Sequence, residues 1–472
     1  MTRLRAALLA LFPKTPEWEA SQPQPGTGSA AGTGLAGQPA LYAAVQMAAV
    51  FVGIFVLLLR LAGVPAWEGL YAEDQGVFLP DAIAHPWHLL VPYGGYEEFV
   101  PRLVGQLVSY LPLADAAVPF AVAGAGVAAL CALFIYHALG GWIGSPWLRV
   151  LAGAALILLP LAPIEIADCT VGCPWYLMAA LFFGLLWRPR GWAGMTAAAL
   201  IAFAASSSEL LALVYAPLVL LRVIALPRWR ENAVTIGWLA GLLVQVPVVL
   251  ESYAQHTQRL GSRAGPLQAL RFYFHNVALR AFGWRVSLIV VRIAGLNGAT
   301  VIVCVVLAVL FGWILVTGSR QVRVFAALAL IMGFVEAVFA ATVVPYVIRQ
   351  HFADNFEGGS RYSIVPIMAV TAAGVVALDA YLRRQGFAER RDKVALIRQS
   401  PWAVIAVTVL ACALAVGWLP DFRYITEHNY WGHWQPRAER LLDACKHSTS
   451  GEVTTWAWGH SRINLPCSGL HK

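Results

Sequence analysis

Residues 298–317 read GATVIVCVVLAVLFGWILVT, a run without one aspartate, glutamate, lysine or arginine. A helix of that length reaches about 30 Å at 1.5 Å per residue, which is the thickness of a bilayer's hydrocarbon core. Working outward, comparable apolar runs occupy 41–60, 116–138, 147–163, 174–187, 193–206, 209–226, 232–250, 324–346, 362–382 and 402–419, each bounded by charge, proline or glycine. The residues between them lack the dyad alternation of a membrane barrel, so the sequence predicts an all-α, polytopic transmembrane helical bundle of eleven spans. The fourth and fifth runs are unusually short.

Composition agrees with this. Of 472 residues 59% are hydrophobic and 12% charged, too little polar surface to solvate a globule of that size. The formal charge of +8 is scattered through short connectors rather than gathered on one face, which argues against a nucleic-acid partner. Arginine is favoured so strongly that lysine occurs only at Lys14, Lys393, Lys446 and Lys472, a usage typical of GC-rich bacterial genomes.

Charge also assigns a direction. Connectors after even-numbered spans carry Arg149, then Arg188 and Arg190, then Arg222, Arg228 and Arg230, then Arg320 and Arg323, and finally a basic run from Arg383 to Arg398. The positive-inside bias places these and the N-terminus in the cytoplasm. Residues 1–40, with the Gly/Pro/Ser-rich QPQPGTGSAAGTGLAGQP, read as a disordered cytoplasmic tail, because the apolar run ALLALF is short for a signal peptide. Residues 41–419 form the transmembrane module with outer loops 61–115, 251–297 and 347–361, and 420–472 form a small outer cap. The stretch 251–297 breaks the bias with Arg259, Arg263, Arg271, Arg280, Arg285 and Arg292. Two causes remain open: amphipathic helices lying on anionic headgroups, or an anionic ligand such as a lipid phosphate.

The same sidedness puts Cys445 and Cys467 in the outer cap and Cys169 and Cys173 in one short outer loop, so both pairs are candidates for disulfides. Cys131, Cys304 and Cys412 fall inside spans and read as packing residues. The aromatic runs HNYWGHWQP and TTWAWGH mark the cap as folded rather than solvated.

Chemistry concentrates in the first outer loop, where residues 67–112 read WEGLYAEDQGVFLPDAIAHPWHLLVPYGGYEEFVPRLVGQLVSYLP. Two amphipathic runs, Gln75–His85 and Glu98–Leu111, flank a Pro/Gly/aromatic bend. Adjacent Glu73 and Asp74 open the first; one such carboxylate can take a proton while its neighbour orients an acceptor or ion. An isolated acidic pair is usually solvated surface, but this loop also holds His85, His88, Tyr93, Tyr96, Glu97, Glu98 and Arg102.

An acidic pair in the first outer loop, two helices lying along the membrane there, and paired, shortened spans resemble the GT-C superfamily of polytopic membrane glycosyltransferases. The phrases YGGYEEFVPRL at 93–103 and EGGSRYSIVP at 357–366 look like the loops of its bacterial members. The resemblance implies transfer of a sugar from a polyprenyl-phosphate donor to an envelope glycan, lipid or protein acceptor on the outer face of the bacterial inner membrane. It makes Asp74 the catalytic base with Glu73 in support, and sets Arg102, Arg349, Arg361 and Tyr362 against the donor's phosphate. Guanidinium forks suit phosphate oxygens, although each arginine also sits where it would snorkel to headgroups. His85, His88, Glu165 and Glu209 are expected to line the cleft, with Asp168 close to Glu165. No cofactor is implied; some members of the superfamily use a divalent metal ion, for which this sequence shows no ligand cluster.

Glu336 lies mid-span, where an ionised group facing lipid costs about 2.5–3.5 kcal/mol, so it is expected to face the bundle. With Glu209 it supports a rival reading, a proton-coupled secondary transporter or lipid flippase. No internal repeat accompanies that reading. A third reading is a membrane scaffold whose tail binds envelope partners. Phosphate-loop, zinc-helix and nucleophile-elbow motifs are absent from the sequence, and Cys169 and Cys173 are not in CxxC spacing.

Overall fold

In hydrocarbon a chain must satisfy its own backbone N–H and C=O groups, and the apolar runs do so as helices. The computed structural model describes residues 8–13, 39–160, 167–254, 265–343, 360–384, 415–425, 432–456 and 462–470. Helix α1 is Pro39–Leu58, followed by the short strand β1, Leu61–Ala62. The next connector folds as a π-helical turn Asp74–Phe78 continuing into α2, Leu79–Ala84, and then α3, Phe99–Val108. Helices α4 (Ala117–Ala138), α5 (Pro146–Leu158), α6 (Cys173–Leu186), α7 (Trp192–Ser208), α8 (Ala216–Ala225) and α9 (Ala233–Ala254) come next. After them come α10 (Pro266–Phe272), α11 (Trp284–Thr317), α12 (Arg320–Val343) and α13 (Ile364–Arg384). Strand β2 (Tyr424–Ile425), helix α14 (Gln435–His447) and the antiparallel strands β3 (Glu452–Trp456) and β4 (Arg462–Pro466) form the C-terminal cap.

Among the described residues six helices, α1, α4, α9, α11, α12 and α13, are long and apolar enough to cross a membrane. The protein is therefore a membrane-embedded helical one. Helices α3, α5, α6, α7 and α8 are apolar but shorter. Helix α7 packs along α9, α12 along α13, and α4 is flanked by α1, α5 and α6.

Boundaries differ from the sequence reading in instructive places. Helix α11 begins at Trp284 rather than at 298, with a kink at Gly295, because its first amides are capped by the Asp421 carboxylate from a distant segment: Trp284 N–H donates to it, and Arg285 N–H reaches it at 3.3 Å. The run 209–226 divides into a 3-10 turn, Leu210–Tyr215, and α8. Of the run 402–419, residues 402–414 lie outside the described residues. Part of the N-terminal stretch is packed rather than unfolded: Leu11 and Phe12 are buried in the main core, and the Arg222 guanidinium lies 5.5 Å from the Phe12 ring. An apolar Leu-Leu-Ala-Leu-Phe turn has surface enough to dock on the bundle.

Helix α5 has 13 residues, reaches about 20 Å, and like any helix leaves amides at its start and carbonyls at its end that need partners. Both are held by buried charges. At the N-terminal end, Gly144 N–H and Ser145 N–H donate to Asp379 at 2.9 Å each. At the C-terminal end, fully buried Arg60 donates to the carbonyls of Ile157 at 2.6 Å and Leu159 at 2.7 Å, and reaches Phe422 O at 3.3 Å. Arg222 likewise closes α6 by donating to Leu185 O at 2.6 Å.

Replacing Arg60 with methionine leaves these carbonyls without a donor, a loss expected at about 3 kcal/mol or more, read from denaturant titration in mixed micelles. Lysine should recover only part of it, because an ammonium cannot span two carbonyls as a guanidinium fork does.

Candidate active site

The connector between α1 and α4 is drawn back onto the bundle by three features. Strand β1 pairs in parallel with β2, Leu61 opposite Tyr424 and Ala62 opposite Ile425. The π turn Asp74–Phe78 presses on α3 at Gly105, where an added Cβ would sit 2.8 Å from Phe78 O, so only glycine admits the approach. A two-residue turn at Gly94 and Gly95, with φ of 65° and 109°, reverses the chain and pairs Tyr93 with Tyr96.

The consequence is a buried acidic cluster. Glu73 is 5% exposed, Asp74 1%, Glu98 4% and Glu209 4%. Tyr93 donates its hydroxyl to Glu73 Oε1 at 3.3 Å, and Tyr96 donates to Glu98 Oε1 at the same distance. Glu98 Oε2 has no hydrogen-bond partner among the described residues. Glu209 caps the 3-10 turn that follows it, accepting from Leu211 N–H at 3.1 Å. The charge of Arg361, on the turn Ser360–Ser363 ahead of α13, acts on both Glu98 and Glu209. Its guanidinium lies 5.5 Å from the ring of Tyr362, whose ring in turn meets Trp175 edge-on at 4.6 Å. Residues from four separate stretches of sequence thus converge.

Asp74 is held differently from its neighbour. Its Oδ2 accepts Thr170 N–H at 3.0 Å and its Oδ1 accepts the Thr170 hydroxyl, so it caps the turn Thr170–Gly172 that leads into α6. Burial pushes the Asp74 carboxyl up to about 7 even though those bonds pull the other way. Burial raises Glu97 to about 8 and Asp168 to about 7, each against a nearby arginine, and raises Glu98 well above the carboxylate range, with Glu73 and Glu209 adding to the rise.

Other expected residues fall elsewhere. Arg102 is buried, donates to Asp81 at 2.9 Å and lies 3.6 Å from Glu97, so the Asp81 carboxylate already engages the charge expected to meet a phosphate. His85 and His88 stand exposed past the end of α2 with ring centroids 6.4 Å apart, outside the cluster. Arg349 and Glu165 lie outside the described residues. Cys445 and Cys467 form a disulfide. Cys169 and Cys173 do not: both are buried thiols outside any disulfide, because the intervening turn sends Cys169 into a cluster with Tyr71 and Phe78 and Cys173 into the main core. Of the arginines in 251–297, Arg280 is buried 4.7 Å from the Trp284 ring and Arg285 lies 3.7 Å from Asp421, while Arg259 and Arg263 lie outside the described residues.

Glu336 faces inward, 1% exposed, and accepts the Tyr215 hydroxyl at 2.9 Å. Among the described residues no group of three or more His, Cys, Asp or Glu side chains is placed to hold a metal ion. Glu98 and Tyr96 had been read only as part of the loop, and Thr170 not at all. The Tyr-Gly-Gly-Tyr hairpin signal pointed to the first two, whereas no local signal marks Thr170 as the partner of Asp74. No family model matches the chain, and no curated protein or solved structure matches it.

Asp168 combines a left-handed backbone, φ 59°, with two buried carboxylate oxygens that have no hydrogen-bond partner among the described residues. An acid whose pKa is higher folded than unfolded stabilises the fold in its protonated form and loses that contribution as pH rises through the folded value. With Asp74, Glu97 and Asp168 raised from 3.8, 4.5 and 3.8 to about 7, 8 and 7, the melting temperature should fall as pH rises from the unfolded values toward the folded ones and level off above them. Asp168→Asn should make that fall shallower, and an unaltered slope in that variant would remove Asp168 from the balance.

Proposed function

We propose that this chain is a bacterial inner-membrane glycosyltransferase of GT-C layout, moving a sugar from a polyprenyl-phosphate donor to an envelope acceptor on the outer face. The reading takes eleven spans with the N-terminus inside, and places the α1–α4 connector and the cap outside. A disulfide within the cap accords with an oxidising compartment. The observation that carries the reading is the convergence of Glu73, Asp74 and Glu98 from one connector with Arg361 and Tyr362 from another, in a water-poor setting beside an apolar bundle.

Each residue has a role its geometry allows. Asp74 accepts two bonds from Thr170, yet a carboxylate has lone pairs for about four, which leaves capacity for an acceptor hydroxyl. The hydroxyl's proton passes to Asp74 as its oxygen attacks the anomeric carbon. The bond from that carbon to the phosphate oxygen breaks, and its electron pair leaves with the polyprenyl phosphate. Arg361 offsets the charge that develops there, and an in-line attack inverts the anomeric centre. Glu73, held by Tyr93, orients the acceptor.

A second reading draws on Glu336, whose partner Tyr215 follows Glu209 on the same turn and which feels the Glu209 charge. Such a chain of acids suits a proton-coupled transporter.

Purified protein supplied with radiolabelled polyprenyl-phosphate sugars should transfer label. Asp74→Asn should reduce turnover by about 10²–10⁴-fold, the usual range for loss of a general base. Since a base works ionised and Asp74 sits near 7, turnover should rise with pH to a plateau through that value. Full transfer by Asp74→Asn would dismiss it as the base. Proton-driven uptake in proteoliposomes, lost in Glu336→Gln, would favour the transporter instead.

A further inference from the structure

Among the described residues the C-terminal cap does more than sit beside the bundle. Trp434 donates its backbone N–H to Glu68 O and its indole N–H to Leu113 O, both at 2.7 Å, so it grips both ends of the connector that carries the acidic pair. Below it, Ala438 and Leu441 of α14 and Leu465 of β4 are buried in one apolar cluster with Leu70, Leu79 and Ile83. The turn after β4 touches α2, where a Cβ on Gly469 would lie 3.0 Å from Ile83. At the centre of this contact Arg437 donates Nη1 to Gln75 Oε1 at 2.6 Å while Nη2 reaches Thr455 in β3 at 3.4 Å.

We infer that Arg437 is a positioning residue: by holding Gln75 it sets the rotation of the π turn that presents Glu73 to Tyr93 and Asp74 to Thr170, with the Cys445–Cys467 disulfide keeping the cap shaped to do so. Gln75 directly follows Asp74 in that turn and is 4% exposed. Successive residues of a helical turn are splayed about 100° apart, so a pull on Gln75 from the cap side turns its two neighbours toward the cluster. A single π turn is less regular than an α-helix and depends on its surroundings for its geometry. Thr170, Gly105 and Arg437 are among the described contacts that fix it, together with the packing of Phe78 against Tyr93 and Arg102. The disulfide joins the last turn of α14 to the residue that follows β4, closing a loop of sequence separation 22 that contains the β3–β4 hairpin. Reduction frees α14 from the hairpin and loosens the grip on Gln75.

The kinetic consequence rests on the transferase reading, whereas the contact itself does not, and the test separates the two. Hydrogen exchange is measured on the full-length protein in nanodiscs, following the peptide that spans 71–84. Arg437→Ala should raise exchange there by about tenfold or more, as expected when a hydrogen bond to a charged group is lost. Arg437→Lys should restore part of the protection. Thr455→Val, which removes only the contact inside the cap, should leave 71–84 unchanged and so controls for cap unfolding. Reduced protein, or Cys445→Ser with Cys467→Ser, should raise exchange in both α14 and 71–84. Arg437→Ala and Gln75→Ala should be non-additive, as partners are. In transfer assays Arg437→Ala should lower kcat about tenfold with KM for the lipid donor nearly constant, because Arg437 is remote from the donor. Unchanged exchange in 71–84 on Arg437→Ala overturns the contact's role whatever the activity. Raised exchange with undiminished kcat overturns the positioning of the acidic pair. A wild-type protein that transfers no sugar overturns the transferase reading alone, and the exchange result then decides the inference by itself.

Discussion

Arg60, Arg149, Arg222 and Arg280 are the largest side chains with almost no exposure, an unusual set for a core made chiefly of alanine, leucine and phenylalanine. For Arg60 and Arg222 the presence follows from helix length. A helix that ends within the bundle strands several amides or carbonyls beyond the reach of water, and each left unpaired costs of order 1–3 kcal/mol. Arg60 meets the end of α5, Arg222 the end of α6, Asp379 the start of α5 and Asp421 the start of α11. At these ends charges from distant elements supply the missing partners, which in turn locks those elements together. Arg60 ties α5 to Phe422 on the cap side, so the membrane bundle and the cap share one fastening.

The same rule bears on the candidate site. Asp74 caps the turn leading into α6, and an acid with that duty is fixed in place with its charge aimed at backbone donors. Burial at that position also moves its proton affinity toward neutrality, a property useful to a base. Under the proposed mechanism structural and chemical roles would therefore coincide in one carboxylate, whereas Glu73 and Glu98 are held by tyrosine hydroxyls. Arg102 illustrates the opposite outcome, since the Asp81 carboxylate engages it where it stands.

Helical class and most helix positions were legible in the sequence, because length and apolarity act locally: 116–138 became Ala117–Ala138, 174–187 became Cys173–Leu186 and 362–382 became Ile364–Arg384. The start of α11 was not, since the cap that fixes it comes from Asp421, more than a hundred residues away. Within the site, the acidic pair, the arginine and tyrosine at 361–362 and the hairpin at 93–96 carry local signals in residue type. Which of them meet depends on Gly105 admitting the π turn and on Thr170 receiving Asp74, and these are pairwise facts with no local trace.

The cysteines draw the line most clearly. Expected sidedness made Cys445 with Cys467 and Cys169 with Cys173 equal candidates. Tertiary structure joined the first pair across a helix and a hairpin and sent the second into two different apolar clusters. The sequence by itself determined a chain of apolar helices with its chemistry in the first long connector, because hydrophobic length and residue type are properties of contiguous residues. Only the folded chain decided which buried charges close which helix ends, which acids share a cluster and which side chain of the cap reaches Gln75. Pairing of polar groups away from water is settled by geometry between segments, and no segment contains that geometry alone.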